Sequence, residues 1–600
     1  MADDADMAFA RAASLAEAEP AAALPIAQSL LARLPGQPDL LRLLGRIHRA
    51  LGHNDAAEQA ELAAIRASVD DPTLQQAARA LVANELHVAE PLLRAQLKAC
   101  PVDVAAIRMM AELAARIGRY RDAEALLLRA VELAPGFTAA RANLATILHR
   151  QNRTTEALAE LDRLHDADPG NAAHATLRAA VLGRVGEYEE AIALYREVLA
   201  QRPDQPKIWM SFGHALKTVG EQDEAIAAYR RGIAIDPTLG EIWWSLANLK
   251  TVRFAPADLD AMKQALQSST LDDDDRLHLD FALGKALDDA GEHPAAFAHY
   301  ASGNAIRRAQ LGYDPDETSR EVDATIARFT PDFIATHGGG GCPAPDPIFI
   351  LGMPRAGSTL IEQILACHSQ VEGTMELPDI PRLVAKAAGL AGGYPDRLDH
   401  LVADQLRQLG QDYLDATRVQ RREGKAFFID KLPNNWLHVG FIHLILPSAR
   451  IIDARRHPLD CCFSNFRQHF ARGQGFSYGL DDIGRYYADY VRLMAHIDTV
   501  LPGRVHRVIH EQLLDDPEGE VRALLAALDL PFEEACLDFH SNRRAVRTAS
   551  SEQVRRPINR DGVGQWQPYA AMLEPLRAAL GPVLDSYPEV PPLCSFRNTA

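Results

Sequence analysis

The sequence has few features of secreted or membrane proteins. Its 7 cysteines form neither a CxxC pair nor an evident disulfide framework, which favours a reducing compartment. It has no uncharged apolar run of about 18 residues, the length that spans a bilayer. The first ten residues, MADDADMAFA, lack the basic and apolar regions of a signal peptide. We therefore expect a cytoplasmic protein without membrane contact.

Positive charge is also scarce. The 600 residues include 81 acidic and 63 basic side chains, a formal net charge of −18. This balance argues against bulk binding of nucleic acid or anionic membranes, although one local basic pocket could still hold a small anion. His and carboxylate clusters with metal-ligand spacing are missing, so no metal is expected. The length predicts two or more domains.

A strict repeat organises the first half. Prolines recur every 34 residues, at Pro101, Pro135, Pro169, Pro203 and Pro237. A turn residue follows each of the first four prolines after 17 positions, at Gly118, Asn152, Gly186 and Gly220. Five residues later comes an alanine, at Ala123, Ala157, Ala191 and Ala225. This spacing predicts helix pairs that turn at a left-handed residue and pack closely at the alanine.

These units resemble tetratricopeptide repeats, which stack as an all-α solenoid. The repeat register is expected to break after Phe254 and to recover at Gly291 and Ala296. We predict a solenoid over residues 1–325. Its aromatic and leucine side chains are expected to form the core, and its concave face could hold a protein or peptide partner.

The second half of the chain differs from the first in composition and in its predicted secondary structure. The segment HGGGGCPAPD, residues 337–346, is rich in Gly and Pro. We predict a linker over residues 326–346 and a second domain over residues 347–600. Short apolar runs at 347–351 and 450–453 alternate with helical patterns, which predicts an α/β domain with a mainly parallel sheet.

The run PIFILGMPRAGSTL joins a strand pattern to a helix through a glycine-containing loop. Such a loop presents backbone N–H groups and a helix N-terminus to an anion. Gly352, Gly357 and Thr359 match the nucleotide-binding motif GxxxxGK[ST], but Ser358 stands where its lysine should be. ATP hydrolysis is therefore disfavoured, and Arg355 offers a guanidinium to an anion instead.

The sequence PRAGSTL resembles the 5′-phosphosulfate loop of sulfotransferases that use 3′-phosphoadenosine 5′-phosphosulfate (PAPS). The resemblance implies that this co-substrate is bound by the loop residues Arg355, Ala356, Gly357, Ser358, Thr359 and Leu360. A later segment, IIDARRHPLDCCFSNFRQ, resembles the element that binds the 3′-phosphate. It implies roles for Arg456 and Ser464, although Arg456 by itself could be a surface ion pair.

Catalytic residues are also implied by this resemblance. The segment HSQVEGTMELPDIPRL resembles the part of tyrosylprotein sulfotransferases that carries the catalytic glutamate, which corresponds to Glu376. Glu372 is the alternative, and either could be a surface carboxylate. Lys431, in FFIDKLPNN, matches the lysine that stabilises the transferring sulfuryl group.

A late segment, VRTASSEQVRRPINRDGVGQW, resembles the loop that closes over the donor. It assigns Ser550 to the nucleotide site, with added charge or a basic rim from Arg547, Arg555 and Arg556. Two positions depart from the tyrosylprotein enzymes. Pro378 replaces an arginine that helps to hold acidic acceptor peptides, and Gln565 replaces a lysine.

The whole chain resembles bacterial proteins in which tetratricopeptide repeats are fused to a sulfotransferase domain. We expect transfer of a sulfuryl group from PAPS to a hydroxyl on a protein presented by the repeats, with tyrosine as one candidate. Three alternatives stay open: a small-molecule acceptor, an ATP-dependent phosphotransferase, and a repeat scaffold without catalysis. The acceptor, the pathway and the oligomeric state are not determined.

Overall fold

The computed structural model describes residues 2–470, 473–542, 544 and 553–591. The chain divides into two compact units, Met1–Pro203 and Asp204–Ala600. The helices described in the first unit are α1 (Ala2–Ala18), α2 (Pro20–Arg33), α3 (Pro38–Ala50), α4 (Asn54–Val69), α5 (Pro72–Val82), α6 (Leu86–Ala99), α7 (Val104–Arg116), α8 (Tyr120–Leu133), α9 (Thr138–Arg150), α10 (Thr154–Ala167), α11 (Ala172–Val185) and α12 (Tyr188–Gln201).

The predicted turns and close contacts of the repeats are confirmed. The turn residues have left-handed backbones, with φ of 77° at Gly118, 60° at Asn152, 95° at Gly186 and 92° at Gly220. The alanines five residues later have no exposed surface: Ala123, Ala157, Ala191 and Ala225. A bulkier side chain at these positions would push the paired helices apart, because protein interiors are closely packed.

The second unit begins with further helices: α13 (Pro206–Val219), α14 (Gln222–Ile235), α15 (Gly240–Ala247), α16 (Pro256–Leu266), α17 (Asp273–Asp289), α18 (His293–Leu311), α19 (Pro315–Arg328) and α20 (Pro331–His337). The repeat register breaks earlier than the predicted Phe254. Helix α15 has 8 residues, against 14 in α13. It ends at Ala247, and the backbone is left-handed at Lys250, with φ of 66°. Gly291 is again left-handed and Ala296 fully buried, as predicted.

Five parallel strands follow, which confirms the predicted α/β architecture. They are β1 (Pro347–Gly352), β2 (Val371–Gly373), β3 (Phe427–Lys431), β4 (Arg450–Arg455) and β5 (Val505–Ile509), in the spatial order β2-β3-β1-β4-β5. Every residue of β1 is buried, and Ile350 aligns with Lys431 of β3 and with Ile452 of β4. The apolar run of β1 is therefore the centre of the sheet.

The helices around this sheet are α21 (Ser358–Ala366), α22 (Asp379–Ala391), α23 (Ala403–Thr417), α24 (Val439–Ile445), α25 (Pro458–Phe466), α26 (Leu480–Val500), α27 (His510–Asp515), α28 (Pro517–Ala527), α29 (Glu574–Leu580) and α30 (Pro582–Ser586). Short 3₁₀ helices occupy Leu398–His400, Arg418–Gln420, Pro433–His438, Gly475–Tyr478, Glu534–Cys536, Phe539–Ser541, Gln553–Arg555 and Gln567–Met572. None of the helices in the described parts of the chain combines the length and hydrophobicity needed to span a bilayer.

The segment predicted as a linker contains ordered contacts. Helix α20 lies within it, and Cys342 is buried, with its backbone N–H donating to the carbonyl of Ile445 at 2.8 Å. Helices α13–α20 belong to the same compact unit as the sheet. The domain limits at residues 325 and 346 stay predictions.

Substitution of Ala157 by leucine is expected to destabilise the repeat array. Ala157 is fully buried, so the added side chain overpacks the helix pair and should cost about 1–3 kcal/mol of unfolding free energy. Ala159 is exposed on the same helix, α10, and A159L is the matched control. Urea unfolding followed by circular dichroism measures both variants. Equal stability of the two would contradict this packing.

Candidate active site

A cavity of about 750 Å³ lies at the carboxyl ends of the central strands. Its lining includes Gly357 in the loop after β1, Arg456 directly after β4, and His510 directly after β5. The chain places β2 and β3 on one side of β1 and β4 and β5 on the other. Ligands of open parallel sheets bind at such a point, where the strand order reverses direction.

The loop between β1 and α21 shapes one wall of this cavity. Arg355 and Gly357 have left-handed backbones, with φ of 66° and 99°. A Cβ atom on Gly357 would lie 2.7 Å from Nδ1 of His510, so this position requires glycine. Ser358, Thr359 and Leu360, which form the first turn of α21, line the cavity. Ala356 is buried and outside the lining.

Two arginines and a serine from separate elements meet in the cavity. Arg355 Nε donates to Ser464 Oγ at 3.1 Å, and its Nη2 donates to Gln553 Oε1 at 3.2 Å. Arg456 Nη1 donates to the carbonyl of Arg355 at 3.0 Å, and its Nη2 donates to the carbonyl of Gly562. Arg456 Nε is buried without a hydrogen-bond partner among the described residues. An unpaired buried donor is costly, and an anionic ligand would satisfy it.

Positive charge is concentrated in this cavity although the chain as a whole is acidic. Seven of its lining side chains are cationic: Lys250, Arg253, Lys285, Arg355, Arg456, Arg467 and Arg556. Three are aspartates: Asp288, Asp289 and Asp561. Burial, followed by the nearby cations Arg456 and Arg467, lowers the pKa of Arg355 to about 10. Such an arrangement favours a ligand with several negative charges.

Lys431 and Glu376 form a close ion pair next to β1 and α21. Lys431 ends β3, the neighbour of β1, and is 1% exposed. Its Nζ lies 2.5 Å from Glu376 Oε1 and 3.9 Å from Glu362 Oε2. The side chain of Glu376 is 47% exposed, so solvent or a second substrate can reach it. Neither residue belongs to the cavity lining.

Glu372 has a different environment. It lies on β2, is 2% exposed, and accepts a hydrogen bond from the backbone N–H of Glu423 at 2.6 Å. The pair of glutamates is therefore distinguished by position. Glu376 contacts the site lysine, whereas Glu372 is packed inside the domain and holds the chain before β3.

Arg544 contacts Lys431 only indirectly, through Glu362. Arg544 contacts the buried carboxylate of Glu362 and donates to the carbonyl of Thr374 at 2.6 Å. Glu362 thus lies between Arg544 and Lys431, with one carboxylate oxygen toward each. Ser550 and Arg547 lie outside the described residues. Of the remaining late-segment arginines, Arg556 lines the cavity, and Arg555 donates to the carbonyl of Thr218 at 3.2 Å.

Comparison with known families agrees with this geometry. Residues 347–534 match the model described as Sulfotransferase family, and residues 118–181 and 184–249 match Tetratricopeptide repeat. The C-terminal region contains a sulfotransferase-family domain. The two resemblances predicted from the sequence are therefore confirmed.

The relatives match parts of the chain. An uncharacterized protein of Aquifex aeolicus (strain VF5) is 33% identical over 329 residues, which cover 53% of this chain but only 43% of that protein. Protein-tyrosine sulfotransferase 1 of Danio rerio is 28% identical over 260 residues, covering 39% of this chain and 71% of that protein. The sulfotransferase domain from the curacin biosynthetic pathway is 19% identical and aligns over 37% of this chain and 90% of that domain, with a TM-score of 0.28.

Several residues of the cavity were not predicted from the sequence. His510 directly follows β5 and lines the cavity. Residues that follow the carboxyl ends of parallel strands lie at one edge of the sheet, so this rule could have predicted the position of His510. Arg467 lies three residues after Ser464 within the quoted segment. Lys250 and Lys285 come from the helical region. The only sequence feature that could have indicated these two lysines is the interrupted repeat. It shows that the chain leaves the regular helix pairs, but not which part of the protein the chain then contacts.

The buried carboxyl group of Asp430, next to Lys431, is expected to make the free energy of unfolding depend on pH. Burial raises its pKa from the ordinary 3.8 to about 8, and its carboxyl contacts the Tyr413 hydroxyl at 2.8 Å. The folded chain thus keeps a proton that the unfolded chain releases above its pKa of 3.8. Asp430 therefore makes the unfolding free energy fall between about pH 4 and pH 8. In D430N, which cannot ionise, that contribution should vanish.

Urea unfolding at pH 5 and pH 8 measures this effect. Asp404, whose side chain is 91% exposed, provides the control D404N. We expect D404N to follow the unaltered protein and D430N to lose less stability on going to pH 8. The same pH dependence in all three proteins would show that Asp430 is already ionised in the folded chain.

Proposed function

We propose that this chain transfers a sulfuryl group from PAPS to an acceptor hydroxyl. The observation that carries the proposal is the cation-lined cavity, where the loop of a sulfotransferase-family domain meets Arg456 and Ser464. Its volume of about 750 Å³ falls in the range of small-molecule sites, roughly 300–1,000 Å³. The unsatisfied Nε of Arg456 fits a phosphate oxygen.

The residues divide into two groups by position. Arg355, the first turn of α21, Arg456 and Ser464 would bind the nucleotide in the cavity. Lys431 and Glu376 lie outside the lining, beside Glu362 of α21, where we expect the sulfuryl group to meet the acceptor. In this proposal the leaving nucleotide would lie on one side of the sulfur atom and the acceptor on the other, as in-line displacement requires.

Glu376 and Lys431 supply the proton transfer and the charge stabilisation. Glu376 takes the proton of the acceptor hydroxyl as the new O–S bond forms and the bond from sulfur to the 5′-phosphate oxygen breaks. Lys431 and Arg355 stabilise the negative charge that develops on the sulfuryl oxygens and the bridging oxygen. Adenosine 3′,5′-bisphosphate leaves with the electron pair of the broken bond. The 2.5 Å contact keeps the proposed base beside the proposed charge-stabilising lysine.

An ATP-dependent phosphotransferase is less consistent with the structure. Ser358 replaces the phosphate-binding lysine of that class, and the two aspartates on strands next to β1 are engaged elsewhere. Asp430 contacts Tyr413, and Asp453 binds Tyr490, Arg455 and Arg507. Asp430 is fully buried and burial raises its pKa to about 8, whereas Asp453 already pairs with two arginines, so both are poorly suited to hold the Mg²⁺ that such enzymes need.

Ligand stabilisation separates these two functions. Adenosine 3′,5′-bisphosphate should raise the melting temperature, because a ligand at a hundredfold excess over its Kd stabilises a protein by about 2.7 kcal/mol. ATP with Mg²⁺ should give a much smaller shift at equal concentration. Differential scanning fluorimetry provides the comparison. A larger shift with ATP and Mg²⁺ would favour the phosphotransferase.

For the acceptor, we propose a hydroxyl on a protein, with tyrosine as one candidate. Support comes from the partial match to Protein-tyrosine sulfotransferase 1 and from the repeats, a class of module that commonly binds peptides. A small hydroxylated metabolite is the alternative. The repeat array would hold the acceptor protein.

Transfer of labelled sulfate from PAPS into a lysate tests activity and acceptor together. We expect label in the protein fraction, and E376Q should lose about 10²–10⁴-fold in rate while still binding adenosine 3′,5′-bisphosphate. Label only in small molecules would exclude the protein acceptor. Equal rates for E376Q and the unaltered chain would rule out Glu376 as the base.

E372Q is the matched control because Glu372 lies four residues earlier and is packed away from the lysine. It should keep its rate per folded molecule, with folding checked by circular dichroism. A loss of turnover in E372Q and not in E376Q would show that Glu372, and not Glu376, is the base.

A further inference from the structure

Lys250 places a cation from the helical region in the same cavity. Its Nζ donates to Gln468 Oε1 at 2.9 Å and lies 5.3 Å from the centre of the Trp244 ring. Within the described ranges, no carboxylate forms an ion pair with it. An ammonium group has three donors, so the amide oxygen and the ring face leave part of its hydrogen-bonding capacity unused.

The neighbouring carboxylates are already bound to other cations. Asp289 pairs with Lys285 at 2.5 Å and with Arg253 at 2.6 Å. Asp288 pairs with Arg467 at 2.8 Å and accepts from the Tyr569 hydroxyl. Burial, followed by the nearby cations Arg355 and Lys285, lowers the pKa of Lys250 well below its ordinary value. Lys250 thus lies in a buried position near other cations, and the neighbouring aspartates are paired with those cations and not with Lys250.

The backbone at Lys250 is also unusual. Its φ of 66° is rare for a residue other than glycine or asparagine and has a conformational cost. The turn interrupts the helical repeat after Ala247 and brings the lysine side chain into the cavity. A strained position that delivers a cation without a carboxylate to a ligand-sized cavity suggests a binding role.

The neighbours of Lys250 connect it to the residues that we propose bind the nucleotide. Gln468, its hydrogen-bond partner, lies four residues after Ser464, and Ser464 accepts from Arg355. Gln468 is 2% exposed, and its amide nitrogen donates to the carbonyl of His469, so its oxygen is turned toward Lys250. Lys250 therefore lies beside the cluster of Arg355 and Ser464 that would hold the nucleotide.

We propose that Lys250 binds an anionic phosphate of the donor nucleotide, so that the helical region completes the donor site of the sulfotransferase-family domain. This inference rests on the proposed function. It gives helix α15 and the turn after it a role in binding the donor that is separate from any presentation of an acceptor. The chemistry that Lys250 recognises is a nucleotide phosphate, on either the 3′ or the 5′ side.

The test is isothermal titration of the full-length chain with adenosine 3′,5′-bisphosphate and with adenosine 5′-phosphate. K250M removes the charge and keeps much of the side-chain volume, and it should weaken bisphosphate binding at least about tenfold, since charge-assisted hydrogen bonds are strong. A loss seen only with the bisphosphate assigns Lys250 to the 3′-phosphate. An equal loss with both nucleotides assigns it to the 5′ side.

K263M is the matched control, because Lys263 is an exposed lysine on α16 in the same helical region. It should bind both nucleotides as the unaltered chain does. If K250M does not fold, K250Q serves as the second neutral variant. Unchanged binding by the folded neutral variant overturns the inference and leaves the proposed function intact, whereas no bisphosphate binding by the unaltered chain overturns both.

Discussion

An excess of buried positive charge at one edge of a parallel sheet is the constraint on which the site depends. Arg355 and Arg456 lie in contact within a cavity whose three aspartates are outnumbered by seven cations. The pKa of Arg355 is lowered by burial and, to a smaller extent, by repulsion from Arg456 and Arg467. A ligand with several negative charges would convert this repulsion into attraction.

The sheet explains why so many of these residues converge. All five strands are parallel, so the residues that follow their carboxyl ends meet at one edge. Arg456 and His510 follow β4 and β5 directly, and Lys431 closes β3. The central strand β1 has no exposed residue and pairs with β3 and β4, so the loop that follows it, from Met353 to Gly357, begins at the same edge as these neighbours. A single topological feature thus positions side chains more than 150 residues apart in sequence.

Prediction from the sequence succeeded where the signal is local. The turn residues and the alanines of the repeats appear at a fixed spacing, and both are found in the predicted conformation and burial. The strand, loop and helix around Arg355 were predicted because one short segment contains all three. Prediction was less accurate at the end of the repeats, where α15 stops before Phe254. The left-handed turn at Lys250 is a position at which propensity alone favours glycine or asparagine.

The sequence by itself determined the helical repeats, the parallel α/β domain and the anion-binding loop, because periodicity and short motifs report local backbone geometry. Only the tertiary structure decided that Glu376 rather than Glu372 contacts Lys431, and that Lys250 shares a cavity with Arg355. The family resemblance favoured Glu376, but a sequence does not show which of two glutamates four residues apart reaches the lysine, and a lysine in a helical repeat resembles any surface lysine. Their roles depend on distances across the fold, which follow from how strands and helices pack and not from the order of the residues.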